Sequence, residues 1–355
     1  MTLEDLGYNP NLETYRIQHG LDSFEVGRVI AEHKERYIVK TVEQDYEGEI
    51  LGNLRYTAQS RADFPAVGDW VAISDYDTDK VLIHAVFPRS SILQRQAVGK
   101  KGEAQIIATN IDTAFIVQAA DRDFSINRIE RYLTICNDSK VDPVIILNKI
   151  DLVSKEVLSE LLQSIAKRLP KIPVLAISNP SQQGIDTVKT LIEKGKTYCL
   201  LGSSGVGKST LLNTLSGHEL MKTKAISEHT SRGRHVTTHR ELQVLNNGGI
   251  IIDNPGMREV GITDITEGLE LTFENILELA KQCKFKDCTH TTEKGCAVIS
   301  AVDKGEIDVM SYENYLKMER EKEHFEATVA EKRKKDKAFG KMVKEFKNAK
   351  KRGKH

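Results

Sequence analysis

The chain has 355 residues, 39% hydrophobic and 29% charged, with a formal net charge of zero. That length predicts two or three domains with room for a buried core, and the composition suits a soluble globular protein. No stretch approaches the roughly 18 apolar residues of a membrane span, and Met1–Leu6 carries neither the basic start nor the apolar core of a secretion signal, so a cytoplasmic protein without a membrane partner is expected.

From about Phe24 to Arg95 short β-type runs alternate with turn chemistry: Val26–Ile30, Tyr37–Val42, Gly68–Ile73 and Lys80–Val86. Five or so such strands predict a small antiparallel barrel. An OB-fold is the natural reading, although pattern alone does not separate it from an SH3-like barrel. From Ile111 the rhythm becomes strand–helix–strand. Thr113–Val117, Pro143–Leu147, Pro173–Ile177, Tyr198–Leu201 and Ile250–Ile252 read as buried strands; Ile126–Cys136, Val157–Leu169 and Ile185–Lys194 have helical spacing. This alternation predicts a parallel sheet with helices on both faces, and ligands at the carboxyl ends of its strands.

After about Ile265 the chain reads as helical, at Leu269–Gln282, Ala297–Lys304 and Tyr312–Lys335. Between Lys332 and His355, twelve lysines and arginines face only Asp336 and Glu345. The zero charge therefore divides into a tail of about +10 and a body of about −10. Few apolar anchors hold that tail, which predicts disorder or a helix formed on a polyanionic partner. The expected units are residues 1–105, an amino-terminal extension with an RNA-binding barrel; 106–265, a nucleotide-binding domain; 266–330, a helical metal-binding domain; and 331–355, the basic tail.

Gly202-Ser203-Ser204-Gly205-Val206-Gly207-Lys208-Ser209 fits the phosphate-loop pattern without a mismatch. Its glycines let backbone N–H groups turn toward phosphates, Lys208 supplies a point charge, and Ser209 offers its hydroxyl to Mg²⁺. Thr210 continues into a helix whose amino terminus faces the anion. The base is chosen by Asn148-Lys149-Ile150-Asp151. The Asp151 carboxylate can accept from guanine N1–H and the exocyclic amine, a pair that adenine lacks, which is worth roughly 10⁴-fold in discrimination. Lys149 would lie over the ring, and Asn148 would fix the loop and reach N7. Asp253-Asn254-Pro255-Gly256 follows an apolar strand, so that Asp253 can hold the Mg²⁺ shell through water and the Gly256 N–H can sense the γ-phosphate. Between them lies Gly233–Thr238, a switch segment in which Thr237 or Thr238 would complete the Mg²⁺ shell. Met257 stands where many GTPases carry a water-positioning glutamine; a thioether cannot do this, and His235 is the local candidate.

Five cysteines are an odd number for a disulfide framework. Cys283, Cys288 and Cys296 cluster around His290, the pattern of a metal site. Three thiolates and one imidazole close a tetrahedral set, which predicts structural zinc. Cys136 and Cys199 sit in apolar segments and read as buried, inert thiols.

The base-reading motif precedes the phosphate loop, the reverse of the usual GTPase order. With the preceding barrel and the Cys283-x4-Cys288-x-His290-x5-Cys296 element, this rotated order resembles the ribosome-small-subunit-dependent GTPase A family from about Val26 to Lys317. The resemblance implies a multidomain α/β chain: an OB-fold, a circularly permuted P-loop GTPase domain and a carboxyl-terminal zinc domain. It implies GTP hydrolysis stimulated by the small (30S) ribosomal subunit and its rRNA during late maturation, with His235 as the hydrolytic residue; a monomer is expected. Two departures stand out. The switch usually has three threonines after its histidine, and here Val236 replaces the first. The base-closing loop usually reads Ser and a small residue, whereas Ser178 precedes Asn179-Pro180; a backbone N–H there would face guanine O6.

Two other readings fit parts of the pattern. A small-molecule kinase would share the phosphate loop but lacks a recognisable acceptor pocket. A nucleotide-gated RNA scaffold with negligible turnover would account for Met257.

Overall fold

The structure, a computed structural model, describes residues 1–33, 36–58, 60–96, 104–121, 123–217, 241–253 and 265–352. Helix α1 (Pro10–Gln18) precedes the barrel, its first turn capped by the Asn9 side chain, which accepts from the Asn11 and Leu12 N–H groups. The barrel strands are β1 (Glu25–His33), β2 (Arg36–Lys40) and β3 (Asp45–Ile50); a short helix, α2 (Gly52–Thr57), leads on to β4 (Trp70–Asp77) and β5 (Lys80–Val86). They pair in the order β1-β2-β3-β5-β4, and β4 returns to β1. All pairs are antiparallel except β3–β5, whose parallel register is made possible by the α2 crossing. This closed five-stranded barrel with a helix between β3 and β4 is OB-like, which settles the alternative that strand pattern left open. Period-two alternation fills it: Tyr46 and Ile50 point inward with Val29, Val39, Ile73 and Ile83, while Asp45, Glu47 and Glu49 face out.

Strands β6 (Ile92–Gln96) and β7 (Ala104–Thr109) form a two-stranded antiparallel ribbon that the sequence pattern did not predict. The α/β unit follows as β8 (Thr113–Ala119), α3 (Ile126–Asp138), β9 (Asp142–Asn148), α4 (Lys155–Arg168), β10 (Val174–Ala176) and α5 (Ile185–Leu191). It continues as β11 (Thr197–Leu201), α6 (Lys208–Ser216), β12 (Glu241–Val244) and β13 (Ile250–Asp253). The spatial order is β10-β9-β8-β11-β13-β12, parallel apart from β12. Both faces are dry. Ile116, Ile145 and Ile252 meet α3 and α4 residues such as Ile129, Leu133 and Ile165 on one side. Phe115, Val117, Ile146 and Ile251 meet Val188, Leu211 and Leu212 on the other. Strand order breaks between β8 and β11, so the crevice for a ligand lies there.

The barrel is bolted to this sheet by Arg28. Its side chain is fully buried and donates to Leu6 O, Gly68 O, Asn110 O and Thr197 Oγ1, at 2.6–3.2 Å, with Trp70 beneath it at 5.4 Å. Burial lowers its pKa to about 10, which leaves the guanidinium charged at neutral pH.

At the carboxyl end come α7 (Thr266–Thr272), α8 (Glu274–Ala280), α9 (Ala297–Asp303) and α10 (Val309–Arg352). The single helix expected over 269–282 is broken at Phe273, whose backbone leaves the helical region while its buried ring packs edge-on against Tyr315. The tail, expected to be disordered or to fold on a partner, has a helical backbone to Arg352, continuous with α10. Its Lys, Ala, Glu, Met and Arg content favours helix and no proline interrupts it.

This carboxyl-terminal unit docks on α3 through a buried polar knot. Glu130, 2% exposed, accepts from Nε and Nη2 of Arg168 from α4 at 2.7–2.9 Å, and from Ser311 and Asn314 of α10 at 2.7–2.9 Å. Arg131 grips Glu321 with one nitrogen, 2.6 and 2.7 Å from its two oxygens. Glu130→Ala would leave the largely buried Arg168 with only Asn127 Oδ1 at 2.7 Å and the more exposed Asp308 at 3.5 Å, so the chain should lose about 3 kcal/mol in chemical denaturation. A loss below about 1 kcal/mol, the worth of an exposed pair, would refute the knot's role.

Candidate functional site

Every strand that carries a motif ends at the same edge of the sheet. β11 delivers Gly202, β9 delivers Asn148, and the parallel register that pairs Cys199 with Ile252 sets Asp253, at the end of β13, beside Leu200. The phosphate loop is possible here because of its glycines. At Gly202 (φ 149°) a Cβ would lie 2.3 Å from Val117 O, and at Gly207 (φ 98°) it would lie 2.2 Å from Asn148 Nδ2. Ser203 is half-buried, Ser204 and Gly205 are exposed, Val206 is buried, and Lys208, Ser209 and Thr210 form the first turn of α6. The Lys208 ammonium donates to Gly202 O at 2.7 Å and Ser203 O at 2.6 Å, spanning the loop that it would serve.

Asn148 joins the two motifs directly. Its Nδ2 donates to Val206 O at 2.8 Å, and its Oδ1 accepts from the Lys149 N–H at 2.8 Å. Lys149 takes a left-handed conformation (φ 61°) and its ammonium lies 3.4 Å from Asp121. This turn carries Asp151 to an exposed position in the 3-10 turn Ile150–Leu152. Ser178 is buried; its N–H donates to Gln183 O and its hydroxyl accepts from the Ser181 N–H, which shapes the base-closing loop. His235, Thr237 and Gly256, with Thr238, Asn254, Pro255 and Met257, lie outside the described residues.

Two contributors were not foreseen. Arg128 on α3 donates to Ser203 Oγ at 3.1 Å, tying the loop to the helix that holds the carboxyl-terminal unit. Asn179, noted in sequence only as a departure, has its side chain bonded to Asn148 and Thr214. An arginine at the amino end of a helix after a buried strand gives no local signal of such a contact.

The cysteine cluster forms a second site. Ligand atoms of Cys283, Cys288, His290 and Cys296 all lie within 4.8 Å of one another, with Cys283 Sγ 3.7 Å from Cys296 Sγ and His290 Nδ1 3.4 Å from Cys296 Sγ. These separations suit a tetrahedron around one ion, whose S···S edge is about 3.8 Å for metal–sulfur bonds near 2.3 Å. The four residues can hold a metal ion. The site is buttressed: Tyr312 of α10 donates to His290 O, and Cys296 Sγ caps α9 at the Ile299 N–H. Cys136 and Cys199 are buried among apolar side chains, and burial pushes the Cys199 thiol up to about 12, which makes it inert.

A family model described as RsgA GTPase matches residues 86–263. A model for ABC transporters also matches 185–346, a span that holds the phosphate loop but not Asn148–Asp151; among the described residues no helix is long and apolar enough to cross a membrane. The chain is 44% identical over 296 residues to a small ribosomal subunit biogenesis GTPase RsgA 2 of Lactiplantibacillus plantarum, covering 83% of each chain. It is 40% identical over 326 residues to an RsgA 1 of Bacteroides thetaiotaomicron, covering 91% of this chain and 90% of that one. Among solved structures, YjeQ of Thermotoga maritima is similar with a TM-score of 0.62 and 26% identity, over 84% of this chain and 98% of that one. YloQ, described as a circularly permuted GTPase, has a TM-score of 0.61 and 25% identity, over 86% and 97%.

Proposed function

The chain belongs to the RsgA GTPase family, and from that premise we propose that it hydrolyses GTP to GDP and phosphate on the small ribosomal subunit, in late maturation. The observation that carries this reading is the 2.8 Å bond from Asn148 to Val206, which joins a guanine-reading loop to a phosphate loop in one crevice. In this reading Lys208 leaves its loop carbonyls for the terminal phosphates, and the N–H groups of Ser203 to Thr210 line the phosphate path. Asp151 accepts from guanine N1–H and N2, and Lys149 covers the ring. Ser209 and Thr237 would hold Mg²⁺, with Asp253 reaching its shell through water, and the ion would supply positive charge to the phosphates. Gly256 reads the γ-phosphate and His235 orients the attacking water.

Cys283, Cys288, His290 and Cys296 would hold one structural Zn²⁺, since a closed set of three thiolates and one imidazole leaves no open position. The basic tail and the barrel face rRNA, and binding should weaken steeply as salt rises. The chain acts as a cytoplasmic monomer.

Lys208→Ala should lower turnover about 10²–10³-fold, the usual loss for one preorganised donor at transition-state oxygens; turnover within twofold of the parent would exclude the assigned role. The whole reading is tested by GTP hydrolysis with purified small subunits, large subunits or neither. Stimulation by small subunits alone is expected, and equal rates in all three would overturn it. Appearance of the phosphate on a metabolite would favour the kinase reading.

A further inference from the structure

The guanine loop, the base-closing loop and α6 are joined by one run of hydrogen bonds whose polarity admits a single arrangement. Val206 O can only accept and the Lys149 N–H can only donate, so Asn148 must turn Nδ2 to the former and Oδ1 to the latter. Asn148 Oδ1 therefore needs a donor from its other neighbour, and Asn179 Nδ2 supplies it at 3.1 Å. That leaves Asn179 Oδ1 to accept, and the single proton of the Thr214 hydroxyl on α6 is shared between it at 3.2 Å and the Thr210 carbonyl at 2.9 Å. Asn148 and Asn179 are 1% and 6% exposed, so a broken link leaves a polar group without water.

The same residue sets the backbone of the base-closing loop. Its carbonyl accepts from Gln182 Nε2 at 2.6 Å. Within that loop the Ser178 and Ser181 N–H groups are already engaged and Pro180 has none. Among residues 178–181 this leaves the Asn179 N–H as the donor that would face the base.

We propose that Asn179 is a specificity-positioning residue: its side chain locks Asn148 and α6 to the base-closing loop and so aims the loop's N–H at guanine O6. This rests on the GTPase reading above and deepens it. A small residue at this position could present the N–H but could not hold it by the side chain. Here the amide ties the phosphate half of the site to the base half, which the chain order has separated.

The test is calorimetric titration of the full chain with Mg·GDP, Mg·ADP and Mg·6-thio-GDP, the last keeping N1–H and N2 but offering sulfur, a weak acceptor, at position 6. Asn179→Ala should lose about tenfold in GDP affinity, and the preference for GDP over 6-thio-GDP should shrink toward one. Asn179→Asp sets a carboxylate oxygen against Asn148 Oδ1; its GDP affinity should recover as pH falls from 8 to 5 and the protonated acid donates again, with no such recovery in the parent. Thr214→Val should change the ratio in the same direction by less, and serves if Asn179→Ala does not fold. Equal loss for both guanine ligands, or an unchanged ratio in the Asp and Val variants, would overturn the proposal by reducing Asn179 to packing. A parent chain that does not prefer GDP over ADP would instead overturn the GTPase reading itself.

Discussion

Asp151→Asn should lower affinity for GTP on the order of 10⁴-fold and create affinity for xanthosine triphosphate. In the proposed site the carboxylate accepts twice, from N1–H and the exocyclic amine; replacing one oxygen by NH₂ sets donor against donor, and once the bound base has displaced water nothing relieves that mismatch. Xanthine carries a carbonyl in place of the amine, so the asparagine amide can accept from N1–H and donate to the new oxygen. Asp151 is exposed on its 3-10 turn and bears no load in the core, so the variant should fold and keep its phosphate loop. The measurement is a titration with both triphosphates, followed by turnover on small subunits. Undiminished GTP binding with no gain for the xanthine nucleotide would remove Asp151 from the base site.

The second large effect concerns the cysteine cluster. Cys296→Ser should strip the metal and unfold the unit that it holds, because ligand binding of this kind contributes roughly 10–16 kcal/mol to folding. The core there is small, built on Ile265, Leu269, Phe273, Ile276, Val298 and Met318 with Cys296 itself among them. Serine is chosen for a reason. Cys296 also caps α9, and a serine hydroxyl preserves that cap, so the variant isolates loss of the metal ligand from loss of the cap. Metal content and hydrogen exchange over residues 265–320 provide the readout, with a chelator on the parent as the companion. Full protection after complete metal removal would mean that packing on α3 suffices.

Legibility followed distance along the chain. The phosphate loop, the Asn148–Asp151 motif and the cysteine spacing could be read because each is a local constellation whose residue types answer to one chemistry. The strand–helix rhythm was legible for the same reason: burial on both faces writes continuous apolar runs such as Ile145–Leu147. The β6–β7 ribbon escaped because its strands are partly exposed and lack a clean alternation. The break at Phe273 escaped because Tyr315, against which its ring packs, lies over forty residues away. Nothing near Glu130 marks it as the anchor of α10, since Ser311 and Asn314 look like ordinary helix residues in sequence.

Chain order alone determined the chemical vocabulary of this protein: the Asn148–Asp151 motif, a glycine-rich loop with its lysine, and four soft metal donors. Tertiary structure alone decided the grammar: a barrel closed through a parallel β3–β5 pair, Arg28 joining four segments, and Asn148 and Asn179 clasping loops 31 residues apart in the chain. The physical reason is that a motif's chemistry resides in side chains a few bonds apart. Hydrogen bonds such as Arg28 to Thr197, 169 residues distant, exist only once burial has removed water as the competing partner.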